Sequence, residues 1–217
     1  AGYDIIKGGA GNDSIDGGAD DDQLYGGDGV DTISGGTGKD EIYGDAGNDT
    51  LSGDAGDDKL YGGDGNDTVT GGDGADVLSG GAGSDSLTGG LGADTFKWEL
   101  ADAGVKGAPA ADVITDFNTA LPASGGDVLD LRDLLSGENH ITGAGNLASY
   151  LHFEKVVVGP DTNTVIHVSS HGEFAAGFNA AKEVQTITLL GVDLVGSNTN
   201  DQLIIQDMLN KGKLITD

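Results

Sequence analysis

Ten aspartates stand nine residues apart without a break: Asp13, Asp22, Asp31, Asp40, Asp49, Asp58, Asp67, Asp76, Asp85 and Asp94. Carboxylates in such a series are hard anionic oxygen donors, and the chemistry open to them is cation binding. Each sits sixth in a unit close to Gly-Gly-x-Gly-x-Asp-x-aliphatic-x, which repeats ten times from Gly8 to Lys97. The eighth position is always apolar: Ile15, Leu24, Ile33, Ile42, Leu51, Leu60, Val69, Leu78, Leu87 and Phe96.

Backbone carbonyls of the glycine turns are the remaining candidate donors. They come from the first position (Gly8, Gly17, Gly26, Gly35, Gly44, Gly53, Gly62, Gly71, Gly80, Gly89), the second (Gly27, Gly36, Gly63, Gly72, Gly81, Gly90) and the fourth (Gly29, Gly38, Gly47, Gly56, Gly65, Gly74, Gly83, Gly92). Glycine at these places asks for backbone angles that other residues reach only at a cost. Each unit therefore reads as a turn followed by a very short strand with one inward side chain.

A nine-residue unit with one buried residue cannot enclose a core alone, so the units must stack. An eighteen-residue alternation shows how. The ninth position reads Tyr25, Tyr43 and Tyr61 in every second unit, against Ser34, Ser52, Thr70 and Thr88 between them. Two faces of different chemistry predict two units per coil, a flattened right-handed parallel β-roll.

Stacked turns bring the aspartates to about 4.8 Å, the strand spacing, where bare carboxylates repel. Residues 1–97 hold 21 acidic and 4 basic side chains, a net of −17. No basic partner recurs at the right period, so a bound cation has to lie between coils. Carboxylate and carbonyl oxygens, without any Cys and with no His before His140, select Ca²⁺ over a soft transition metal. Mg²⁺ prefers a tighter octahedron and retains its water. Sites between units n and n+2 would number about eight, roughly +16 of charge. Three units depart from the pattern: Asp45 and Asp54 replace the second glycine, and Asp20 replaces the fourth and weakens its own site most. Residues 2–7 read as the end of an earlier unit, so the array is expected to begin upstream.

The composition changes near residue 98, which divides the chain into a roll, 1–97, and a second segment, 98–217. The second segment reads as mixed and mostly β, making the chain mainly all-β. Strands are expected over 95–99, 112–117, 150–158, 164–168 and 184–190, and a short helix over 201–210, with Asn200 or Thr199 to cap it and Gly212 to end it. This half would cover the open end of the roll, where the last coil exposes its interior and an unpaired edge.

A net charge of −27 and a pI near 4.1 argue against nucleic acid or an anionic membrane as partner. No apolar run approaches the ~20 residues of a spanning helix. The lack of Cys excludes disulfide and thiol chemistry and suits a chain exported unfolded. Gly38 and Lys39 are followed by Asp40 rather than Ser or Thr, so no phosphate loop is present, and no Gly-x-Ser-x-Gly occurs. His167 and His171 have the spacing of helical zinc ligands but fall in or beside a strand pattern. The Ser/Thr rows read as solvent-facing strand residues, with an ice- or glycan-binding array as the rival reading, and the tyrosine ladder as cross-strand stacking or an aromatic stripe for a sugar or another domain.

The nonapeptide array, together with Gly89 to Trp98, Asp112-x-Ile114-x-Asp116-Phe117, Gly126 to Leu135 and the end from Leu203 to Asp217, resembles the C-terminal target domain of type I secreted RTX proteins. It is most similar to the tails of large RTX adhesins of Gram-negative bacteria. The resemblance implies Ca²⁺-induced folding, a cell-surface or extracellular location, a role in adhesion and biofilm formation, and adhesin domains upstream. It also implies an uncleaved export signal, here Asp201 to Asp217, read by an ABC transporter complex, and no enzymatic activity in this segment. The rival is the tail of a secreted lipase, protease or epimerase. By analogy Asp116, Asp127 and Asp130 are either further cation ligands or plain turn and cap residues.

Overall fold

In the computed structural model the described residues are 2–99, 102, 104, 109–135, 147–169, 174, 177, 179–197 and 200–215. Ten strands follow one another at nine-residue steps: β1 (Ile5–Ala10), β2 (Ser14–Ala19), β3 (Gln23–Asp28), β4 (Thr32–Thr37), β5 (Glu41–Ala46), β6 (Thr50–Ala55), β7 (Lys59–Asp64), β8 (Thr68–Asp73), β9 (Val77–Ala82) and β10 (Ser86–Leu91). Odd strands pair in one parallel sheet and even strands in the other, always eighteen residues apart, as in Leu24 opposite Ile42 and Ile33 opposite Leu51. The alternation of Tyr with Ser and Thr thus marks two sheets, two units to a coil, and the chain is a parallel β-roll.

The strands are longer than the sequence suggests. Each takes the last three positions of one unit and the first three of the next, leaving a three-residue turn at positions four to six. The leading glycines pair across coils as ordinary ladder members, Gly18 with Gly36 for example. Alternation then points positions six, eight and one inward: a carboxylate, an aliphatic side chain and a glycine. The aliphatic column from Leu24 through Ile33, Ile42, Leu51, Leu60, Val69 and Leu78 to Leu87 is fully enclosed between the sheets.

Both sheets run on past the repeats. β11 (Thr95–Lys97), β13 (Val128–Asp130) and β17 (Leu214–Ile215) extend the odd sheet, while β12 (Ala110–Ile114) and β16 (Gln185–Leu189) extend the even one. β14 (Leu151–Val158) and β15 (Asp161–Val168) form an antiparallel hairpin through Gly159 and Pro160, and β15 pairs antiparallel with β16, which makes that sheet mixed. A single core joins the roll to this end, where Phe96, Trp98, Phe117, Leu129, Ile204, Ile205, Met208 and Leu214 close the interior.

The helix α1 (Asp201–Asn210) buries Ile204, Ile205 and Met208. Asn200 holds the N-cap backbone position but makes no side-chain cap bond, and Thr199 lies outside the described residues. Asp201 in the first turn instead accepts the Phe153 N–H at 3.0 Å and meets His152 Nδ1 at 2.9 Å, tying helix to hairpin. Gly212, at φ +67°, ends the helix as expected.

Truncating one rung of the aliphatic column leaves a cavity that the stacked coils cannot collapse. Leu60→Ala should cost roughly 2–5 kcal/mol in denaturant unfolding of the calcium-loaded chain. Val157→Ala, on the exposed hairpin tip, should stay within about 0.5 kcal/mol.

Candidate metal centre

The turn residues at position six form two vertical columns, one above each rim of the roll. In each column Oδ1 of one aspartate accepts the backbone N–H of the aspartate eighteen residues earlier. Asp22 N–H to Asp40 Oδ1, Asp31 to Asp49, Asp40 to Asp58, Asp49 to Asp67 and Asp58 to Asp76 are all 2.8 Å. The aspartate's own carbonyl accepts the position-seven N–H of the next coil, as in Thr50 N–H to Asp31 O at 2.9 Å. From Asp22 to Asp94 each of these residues is no more than 2% exposed.

The second carboxylate oxygen has no such partner. Oδ2 of all ten column aspartates, Asp13 through Asp94, is buried and receives no hydrogen bond from the protein. One anionic oxygen left so is costly, and here the cost recurs at every turn.

The first-position glycines show what surrounds that oxygen. A Cβ on Gly53 would stand 2.5 Å from Asp58 Oδ2 and 2.6 Å from Gly71 O of the next coil. From Gly8 to Gly89, a Cβ at the first position would come within 2.8 Å of its own unit's Oδ2. That place is therefore shared by a carboxylate and, in the units up to Gly71, by a carbonyl. At the fourth position glycine is needed for a different reason: Gly47 has φ +146°, and a Cβ there would overlap Gly29 O of the coil before. Asp20, Asp45 and Asp54, at φ 75°, 71° and 68°, are the non-glycine residues with positive φ among the described residues. The three departures from the repeat thus keep a positive φ, which Asp tolerates better than most residues.

Among the described residues no three His, Cys, Asp or Glu side chains gather as a metal cluster. The donors around each turn are instead one carboxylate oxygen per rung and backbone carbonyls, a hard, all-oxygen set that fits Ca²⁺ and offers nothing to a soft metal. Without a cation, burial pushes these carboxyls up: Asp58 and Asp85 to about 7, Asp67 and Asp94 to about 6, with Asp40, Asp49 and Asp76 also raised. The N–H bond on Oδ1 opposes the rise, and neighbouring carboxylates add to it.

The capping segment adds one member to each column. Asp112 Oδ1 accepts the Asp85 N–H at 3.0 Å, while its Oδ2 receives Trp98 Nε1 at 2.6 Å and Gln185 Nε2 at 2.7 Å. Asp127 Oδ1 accepts the Asp94 N–H at 3.2 Å and its Oδ2 the Asn118 N–H at 2.7 Å. Asp116 accepts Gly89 and Gly90 N–H, and Asp130 is held by Arg132. Each oxygen of these four carboxylates thus has a protein donor, unlike Oδ2 of the ten column aspartates. Asp112 was legible in principle, since it lies 27 residues after Asp85, three repeat lengths; Asp127, 33 after Asp94, was not.

Position five carries a further ladder that the repeat does not announce. Asn48 Oδ1 accepts the Asn66 N–H and Asn66 Oδ1 the Ser84 N–H, both at 2.9 Å, and Asp21 and Asp57 do the same on the other rim. His167 lies on β15 between Glu183 and Glu154, and His171 falls outside the described residues. The tyrosines stack, with ring centroids 5.0 and 4.9 Å apart.

Residues 1–33, 25–60 and 61–96 match the family model of the RTX calcium-binding nonapeptide repeat, in four copies. Among solved structures the chain is similar to two subunits of the Azotobacter vinelandii mannuronan C5-epimerase. AlgE6R3 is 25% identical over 85% of this chain and 77% of that one, with a TM-score of 0.34. AlgE6R2 is 23% identical over 93% and 91%, with a TM-score of 0.37. The comparison with curated proteins returns no match.

Two outcomes follow. Gly53→Ala should raise the calcium concentration at the folding midpoint by about an order of magnitude, because its methyl group claims the place of Asp58 Oδ2 and Gly71 O. The pH dependence has a fixed sign: raised folded-state carboxyl values stabilise the metal-free roll below the ordinary carboxylate range, about pH 4, and that stability is lost as pH rises through about 7. Circular dichroism in chelator should gain β signal on acidification from pH 7.5 to 4, and the calcium midpoint should rise as pH falls below 7.

Proposed function

We propose that this chain, whose residues 1–96 are RTX calcium-binding nonapeptide repeats, is a calcium-triggered folding and export module from the C-terminus of a large secreted bacterial adhesin. The observation that carries this reading is the pair of columns of buried carboxylate oxygens without donors. In a calcium-poor cytoplasm those oxygens repel one another and the glycine-rich chain loses much entropy on ordering, so the array stays unfolded and can thread a conduit. Extracellular calcium, near the ~10⁻³ M range of such modules, supplies the missing charge, and binding free energy becomes folding free energy. The ligands in this reading are the column aspartates and the carbonyls of the glycine turns.

Residues 98–217 then have two roles. They close the open end of the roll, and the stretch from Asp201 to Asp217 serves as the signal for an ABC transporter complex. The buried Ile204, Ile205 and Met208 fit that division of labour: the apolar face of α1 is readable in the unfolded chain and hidden once the cap has formed. No catalytic role is assigned to this segment, and the high negative charge keeps nucleic acid from being a partner.

The test is export of the chain fused behind a reporter in a Gram-negative strain with a type I exporter. Removing residues 201–217 should abolish secretion, and Asp49→Ala with Asp67→Ala should leave recognition intact while raising the calcium needed for the secreted product to resist protease. Secretion that survives loss of 201–217, or protease resistance in chelator, would contradict the reading.

A further inference from the structure

The tyrosine ladder on the outer face of the odd sheet stops one ring short. Tyr25, Tyr43 and Tyr61 stack nearly coplanar, tilted by only 4° and 12°. The free face of Tyr25 is covered by the Lys7 ammonium, 4.7 Å from the ring centroid. The next residue above Tyr61 in strand register is Ser79, and above that Lys97 follows from the pairing of β9 with β11. Where a fourth ring would lie there is a hydroxymethyl group.

A cavity of about 230 Å³ opens there, lined by Tyr61, Asp64, Ser79, Ala82, Glu99 and Asp102 among others. Rings in this ladder sit 4.9–5.0 Å apart, so the missing rung is one flat group thick. Three of the lining side chains are carboxylates. The nearby cation, Lys97, is engaged by Glu99 at 2.7 Å and by Asp133 at 3.3 Å, which leaves the surroundings acidic.

A flat aromatic floor with carboxylates at the rim suits a planar, delocalised and weakly hydrated cation. A guanidinium stacks on an aromatic face and presents a fork of N–H donors to carboxylates, whereas an ammonium is compact, strongly hydrated and not flat. A neutral sugar would leave the excess of carboxylate over the single Lys97 ammonium uncompensated. We propose that the slot at Ser79, between the face of Tyr61 and the Glu99 carboxylate, binds the guanidinium of an arginine side chain presented by a basic segment of a partner protein. The net charge of −27, still negative after the roughly +16 brought by calcium, favours encounter with such a partner, and the site is separate from the aspartate columns.

The test is a ¹H–¹⁵N titration of the calcium-loaded chain with N-acetyl-arginine amide, alongside N-acetyl-lysine amide and glucose. Saturable shifts at Gly62, Gly63, Ser79 and Gly81 with the arginine probe at millimolar concentration, and weaker or none with the other two, are expected. Ser79→Tyr extends the ladder into the slot and should weaken binding at least about tenfold, while Tyr25→Ala, at the far end, should leave it unchanged. Glu99→Gln should weaken it several-fold and gives a second reading should Ser79→Tyr disturb the strand. Absence of saturable shifts, equal response to lysine or glucose, or undiminished binding in both slot variants would overturn the assignment.

Discussion

Ten carboxylate oxygens, buried at one-coil spacing with no hydrogen-bond donor, are the constraint on which the rest of this molecule depends. The backbone cannot relieve it, because the N–H of each column aspartate already serves Oδ1 of the next coil. Nor can side chains, since the first-position glycines hold the adjoining space free of any Cβ. The turn geometry, the glycine pattern and the acidic composition all follow from keeping that space open to a cation. The aliphatic column supplies apolar burial, but a single such residue per unit is a narrow core for so much ordered backbone.

The cap meets the same difficulty with protein groups. Where the columns end, Asp112 receives an indole N–H and an amide, and Asp127 a backbone N–H. Beside Asp127 the buried Lys213 ammonium bonds the carbonyls of Asn118 and Asp127, both at 2.9 Å, above the ring of Phe117. Both oxygens of each last-rung carboxylate thus have protein donors, and the end of the roll is sealed by Trp98, Phe117 and the buried face of α1.

Much of this was legible in the residues and part was not. The nine-residue period placed every column aspartate and every inward aliphatic, and the Tyr against Ser/Thr alternation separated the two sheets, since a repeat states its own register. The strand lengths were hidden because glycine has low strand propensity and reads as turn, yet stacking pairs the first three positions of each unit. The position-five ladder was hidden because Asn48 and Asn66 share their column with Val30, whose N–H is served by Asn12 while its own side chain accepts nothing. In the cap the residues of β11, β12, β14, β15 and β16 are legible approximately and those of β13 and β17 are not, and the pairing is hidden throughout: β16 lies between β12 and β15, joining Ala110 to Gln185 across a separation no local pattern encodes.

The most direct test is amide hydrogen exchange of the intact chain at neutral pH, in millimolar calcium and in chelator. The account predicts that amides of residues 22–85 are protected with calcium and exchange at unfolded-chain rates without it. Protection of the same amides in chelator, equal to that in calcium, would show that the buried carboxylates need no cation and would contradict it.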